Sequence, residues 1–389
     1  MMALFAHGFR PFFLMAGCVA PIAVGLWVLG LAGLPLPEGP LPPMRWHAHE
    51  LLAGFIGAAM VGFLMTAIPN WTGRRGYSGP PLMAIAALFL AARLALLPGS
   101  PVPAPAALLL ALLPLPATML LVLPALIRAK SARLFGPPAL VLGFWSGQLM
   151  MAGEAAGWWS APSWQTGQTL MANMALLLVG LIGGRIVPAF TLNALRRAGR
   201  PVELKPLPGV DRAALLSLAL VVVGDLVAPG GAVAGVVAAA ASVLVLLRLS
   251  RWYGLRTLHD PLLAVLHLGY LLVALALALK SVALLGGFAW SAAWLHLQLA
   301  GAIAVMIMAV MTRATLGHTG RDLVASPLTV AAYLALLGAA LLRVFGAAAA
   351  PDPLAAHLIA ALLWVAAFAL FLTAYGPMLL GPRADGKPG

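Results

Sequence analysis

Apolar residues run along this chain in blocks of about 20, the helical length needed to cross about 30 Å of hydrocarbon, and short polar links separate the blocks. On that ruler the pattern predicts an all-α, polytopic membrane bundle. Its twelve spans fall at about 12–34, 48–68, 81–97, 105–127, 138–156, 168–187, 212–229, 231–248, 262–285, 290–311, 327–346 and 354–378. The seventh and eighth are parted only by the tight turn Pro229-Gly230-Gly231. The longest link, about 188–211, carries Arg196, Arg197, Arg200 and Lys205 among prolines. It reads as a cytoplasmic loop joining two six-span halves, 1–200 and 201–389, of a single membrane domain.

Composition agrees with the pattern. Of 389 residues, 63% are hydrophobic and 8% charged, and mean hydropathy is +1.02. A water-soluble domain needs roughly a quarter of its residues charged, so the lipid bilayer is the expected solvent. The net charge of +13 does not point to nucleic acid, because the basic residues cluster in links between apolar blocks. With the amino terminus in the cytoplasm, only Arg45, Arg93, Lys280 and Arg343 of the 23 lysines and arginines fall on the outer side. That asymmetry predicts an N-in, C-in topology. The first block lacks a small-residue cleavage site, so no processed targeting peptide is expected. The single cysteine, Cys18, excludes an intramolecular disulfide and an iron–sulfur cluster held by this chain's cysteines alone.

Polar side chains in hydrocarbon cost free energy unless paired, so the histidines near the spans need an account. Trp46-His47-Ala48-His49-Glu50 opens the second span on its outer side, and His296 lies about 9 Å into the outer end of the tenth. Imidazoles bind haem iron, copper or zinc, and a helical bundle can host a tetrapyrrole. His47 and His49 point about 200° apart on a helix. His49 is the better inward residue, with its face continuing through Ala53, Met60 and Ala67. The expected outer site is therefore a haem clamped by His49 and His296, with His47 at a propionate or second metal and Glu50 and Trp46 in support. Each of these histidines also has a plain reading as an interfacial hydrogen-bonding side chain.

A second group lies toward the cytoplasm: His7, His259, His267 and His318. The helix from His296 to Arg313 spans about 26 Å, so one metal cannot serve both groups. The second group is expected to form a second metal site or a polar site. Arg10, Arg185, Arg313 and Arg321 are candidate anion or propionate contacts. Asn70, Thr72, Asn193 and Thr315 are candidates to line a cytoplasmic polar vestibule, against the simpler reading of capped helix ends. Met306, Met308 and Met311 suit core filling better than copper ligation, and His357 reads as a packed or bonded histidine. The chain has no Walker, dinucleotide-binding or Ser-His-Asp signature.

Several blocks together resemble the NnrS family across essentially the whole chain. They are Phe9-Arg10-Pro11-Phe12-Phe13, Trp46-His47-Ala48-His49-Glu50, Pro69-Asn70-Trp71-Thr72-Gly73, Gly184-Arg185 with Pro188, Phe190, Thr191 and Asn193, Met311-Thr312-Arg313 through Arg321, and Tyr375-Gly376-Pro377. The resemblance implies a bacterial inner-membrane protein containing haem b and copper, tied to the nitric oxide response and often to denitrification. Nitric oxide is then the expected ligand, bound, relayed or converted by redox chemistry with an electron donor. The resemblance does not say which histidine holds which metal. The alternative is a transporter with outward and inward polar vestibules.

Overall fold

The computed structural model describes residues 3–205, 207–287, 293–346 and 349–387. Among them every regular element is helical, with no strand. Twelve long helical segments follow one another: α1 (Phe9–Leu31), α2 (Pro43–Thr72), α3 (Pro80–Ala95), α4 (Ala104–Arg128), α5 (Gly136–Ala155), α6 (Trp164–Arg197), α7 (Pro208–Val227), α8 (Ala232–Ser250), α9 (Pro261–Gly286), α10 (Ala293–His318), α11 (Pro327–Gly346) and α12 (Pro353–Leu380).

Nine of these are long and apolar enough to cross a membrane. The other three also occupy expected spans, and their sequences explain why they stand apart. Helix α3 has only 16 residues. Helix α5 dilutes its apolar run with Pro137, Pro138, Gln148 and Glu154, and α7 carries Asp211, Arg212 and Asp225. The expected start of the tenth span, at 290, lies outside the described residues, as does Pro206 in the long loop.

Proline sets many of the starts. Pro43, Pro80, Pro208, Pro261 and Pro327 all sit in a first turn, where the missing N–H costs nothing and the fixed φ suits the helix. Side chains cap some of them: Asp260 accepts from the Leu262 N–H at 3.0 Å and Ser326 from the Thr329 N–H at 3.2 Å.

The helices gather into two compact units. The first comprises Met1–Met171, Ala314–Asp322 and Trp364–Gly389, the second Ala172–Arg313 and Leu323–Leu363. In the first, the chain's two ends pack together: the Trp364 indole donates to the Ala20 carbonyl at 2.9 Å, and Phe55 stands edge-on to Phe368 at 5.2 Å. Arg10, fully buried, donates through Nη1 to the carbonyls of Leu379 at 3.1 Å and Gly381 at 2.6 Å, satisfying the last turn of α12. In the second unit, Met306 fills the space left by two glycines, with its thioether against Gly269 and its methyl against Gly183. Met306 therefore serves as core filler there.

Among the described residues three stretches are wound as π-helix: Glu50–Ile56 in α2, Leu297–Ile303 in α10 and Leu342–Gly346 at the end of α11. The first two each begin one residue after a histidine, His49 and His296. A π turn inserts an extra residue and rotates everything after it, and such turns concentrate at functional sites.

Candidate functional site

In the first unit, His49 is fully enclosed and both of its ring nitrogens are engaged. Gln148 on α5 donates one amide hydrogen to the Ala111 carbonyl at 2.9 Å and lies 3.4 Å from His49 Nε2. An amide nitrogen only donates, so His49 Nε2 is the bare, accepting nitrogen and Nδ1 carries the proton. Nδ1 donates to Glu50 Oε1 at 3.1 Å. That carboxylate oxygen also accepts from Arg93 Nη1 of α3 at 2.9 Å, which neutralises it.

The local sequence makes room for this chain of groups. A Cβ on Gly54 would stand 3.1 Å from both Glu50 Oε2 and Arg93 Nη1, so a larger residue would press on the ion pair. Gly147, next to Gln148, lets α5 approach α6 so closely that a Cβ there would lie 2.6 Å from the Gly167 carbonyl. Trp46 sits three residues before His49, on the same helical face. It is buried, and its indole N–H has no partner among the described residues. His47 is partly exposed and stacks on Trp27 with ring centroids 5.1 Å apart.

The remaining first-unit candidates lie at the other end of α1 and α10. His7 stacks on Phe9 at 6.1 Å, and Phe9 meets His318 at 5.5 Å. Arg321 reaches the Thr319 carbonyl at 3.4 Å, and Arg383 donates to the His318 carbonyl at 2.8 Å. His7 precedes the first span, and burial, reinforced by Arg10, His318 and Arg383, holds its imidazole below the ordinary value. Thr315 is buried, and its hydroxyl has no partner among the described residues. Asn70 is exposed, and Thr72 bonds back to the Ile68 carbonyl at 2.8 Å.

His296, His259, His267, Arg185, Arg313 and Asn193 belong to the second unit. The expected pairing of His49 with His296 thus draws one residue from each unit, and the expected cytoplasmic histidine group draws two from each, His7 and His318 from the first and His259 and His267 from the second. His296 is partly exposed; His259, Arg185 and Asn193 are exposed. Arg313 is buried with its guanidinium 4.4 Å over the Phe190 ring. His267 is buried, and its Nε2 lies 2.9 Å from the Thr191 hydroxyl.

Sequence reasoning passed over a second buried polar chain. Lys280 pairs with Asp225, and the same carboxylate oxygen accepts from the Asn173 amide at 2.6 Å. Gln298 donates to the Asn173 carbonyl oxygen at 3.2 Å, and the Lys280 ammonium lies 4.4 Å over the Trp294 ring. All four polar residues are buried. The signal available in the sequence was the placement of Asp225 and Lys280 inside apolar runs, where an unpaired charge is too costly to persist.

A family model described as NnrS protein matches residues 3–383. Among curated proteins nothing matches the chain. The match spans nearly the whole length, so the chain belongs to the NnrS family and is a membrane protein of the nitric oxide response.

Proposed function

We propose that this member of the NnrS family is a haem protein of the bacterial inner membrane that takes up nitric oxide from the bilayer, with His49 as the residue that would hold the iron. The observation that carries the reading is the state of His49. It is a neutral imidazole deep in the protein, with a bare Nε2 and with Nδ1–H held by the carboxylate of Glu50. Metal-binding histidines are oriented in this way, and the carboxylate raises the basicity of the opposite nitrogen. Arg93 pairs with the Glu50 carboxylate and holds it in place, and Gln148 is the group that would yield Nε2 to a metal. The buried indole N–H of Trp46 is a donor free to meet a polar edge of the same prosthetic group.

A haem iron supplies a coordination position for a diatomic ligand. The protein's part would be to keep water from that position, and the residues that follow His49 on α2, Leu52, Ala53 and Phe55 among them, are apolar and buried. Nitric oxide is small and uncharged, so it reaches such a site through lipid. Among the described residues no three His, Cys, Asp or Glu side chains gather as a metal site. Copper, which the resemblance implies, has no such set of ligands among the described residues. We also assign all twelve helices as spans in an N-in, C-in topology, on the strength of the charge asymmetry in the links.

Iron and porphyrin content of the purified protein, in wild type and in His49→Ala, tests the ligand. The proposal expects stoichiometric haem in the first and its loss in the second. Equal haem in both overturns it. The transporter reading draws on one observation, the buried Lys280–Asp225–Asn173–Gln298 chain, since paired charges inside a bundle mark ion pathways in transporters. Solute movement by metal-free protein in vesicles is its test.

A further inference from the structure

The second unit holds a cavity of about 560 Å³, within the range of small-molecule sites. Its wall is built from α9, α11, the end of α8 and the turn that follows it, and it is almost wholly aliphatic; Ser250, His267 and Tyr333 are the polar residues of the lining. Three lining leucines stand far out of the protein: Leu255 is 86% exposed, Leu334 65% and Leu258 57%. A rim of exposed leucines on a membrane protein meets lipid, so the occupant enters from the bilayer.

The hydrogen bonds fix what the cavity offers. The Thr191 hydroxyl donates its one proton to the Val187 carbonyl at 2.9 Å. Its oxygen can then only accept from His267 Nε2, at 2.9 Å, so Nε2 carries the ring proton. His267 Nδ1 is left as a bare acceptor. Gly254 packs over the face of the same ring, where a Cβ would stand 2.6 Å from Nδ1, 2.8 Å from Cγ and 2.9 Å from Cε1, so the ring holds its place only while that position has no side chain. Across the lining, the Tyr333 hydroxyl lies 2.5 Å from the Thr312 hydroxyl.

We infer that this cavity is a binding site for a lipid-soluble hydroquinone, its ring held among the leucines and one ring hydroxyl donating to His267 Nδ1. An acceptor-only nitrogen in an apolar wall selects a ligand that brings its own proton. A haem is the less suitable occupant, because the lining contains no arginine or lysine to meet its propionates. The inference is independent of the iron ligand proposed at His49. It gives chemical form to the electron donor that the family resemblance leaves open.

The test is equilibrium binding of a decyl-substituted hydroquinone and of its dimethyl ether to the purified full-length holoprotein in detergent. One hydrogen bond distinguishes the two probes, so the hydroquinone should bind about tenfold more tightly. Gly254→Ala, whose methyl would press on the imidazole face and turn the ring out of its place, should erase that preference. Leu334→Trp, at the exposed rim, should weaken both probes without disturbing the core. The inference is overturned by equal binding of the two probes to wild type, by unchanged binding in Leu334→Trp, or by loss of iron from His267→Phe, which would make the cavity a metal site.

Discussion

Arg93 donates to the Glu50 oxygen that His49 also uses, at 2.9 Å and 3.1 Å respectively. Arg93 is the one polar side chain of α3, and apart from the Phe89 ring 5.2 Å from its guanidinium this pairing is what accompanies its burial. Removing one partner of a buried ion pair leaves the other charged and unpaired, at a cost of about 3–5 kcal/mol. Arg93→Met should therefore lower thermal stability in detergent by about that much. Arg93→Met combined with Glu50→Gln should recover a large part of the loss. Additive losses would show that the two residues do not act as a pair.

Glu50→Gln alone keeps the shape of the side chain but exchanges the carboxylate for a weaker acceptor. Partners that orient a metal-bound histidine typically contribute about 10–100-fold to metal affinity. Haem retention during dilution should fall by a factor in that range, while His47→Phe, which retains an aromatic ring against Trp27, should change it little. Equal retention in wild type and Glu50→Gln would remove the carboxylate from the account.

The Lys280–Asp225 pair gives a matching expectation in the second unit. Lys280→Met or Asp225→Asn alone should each destabilise by about 3–5 kcal/mol, and Lys280→Met with Asp225→Asn together by clearly less. Thermal melting of the four proteins completes that cycle.

His7 makes stability depend on pH. Its folded-state value lies below the ordinary 6.5, chiefly through burial and then through Arg10, His318 and Arg383. The unfolded chain therefore binds the proton more readily, and the stability that depends on neutral His7 is present above 6.5 and lost as pH falls through the folded-state value. The melting point should drop on acidification below 6.5, and His7→Gln should flatten that part of the profile. An unchanged profile in the variant would assign the dependence elsewhere.

Apolar block length made the helical architecture legible, and each of the twelve expected spans overlaps a helix. Blocks of this length have little choice of structure in lipid, so their positions follow from hydropathy alone. The face of α2 was not legible in the same way. A regular helix carries His49 through Ala53, Met60 and Ala67, but Glu50–Ile56 is π-helix, and the added residue turns the later positions away from that line. Nothing in Glu-Leu-Leu-Ala-Gly-Phe-Ile announces that winding. Charge counting also treated Arg93 and Lys280 as outer-side anchors, whereas both are buried in ion pairs, and their partners Glu50 and Asp225 come from distant parts of the chain. Gln148 carried no signal at all, because a lone glutamine in an apolar run acquires meaning only when the fold places it against His49.

The absorption spectrum of the reduced protein, recorded with and without nitric oxide, tests the central claim most directly. Wild-type protein should show haem bands that shift on adding the gas, and His49→Ala should show neither bands nor shift. Bands that ignore nitric oxide in wild type, or a full-strength shift in His49→Ala, would contradict it.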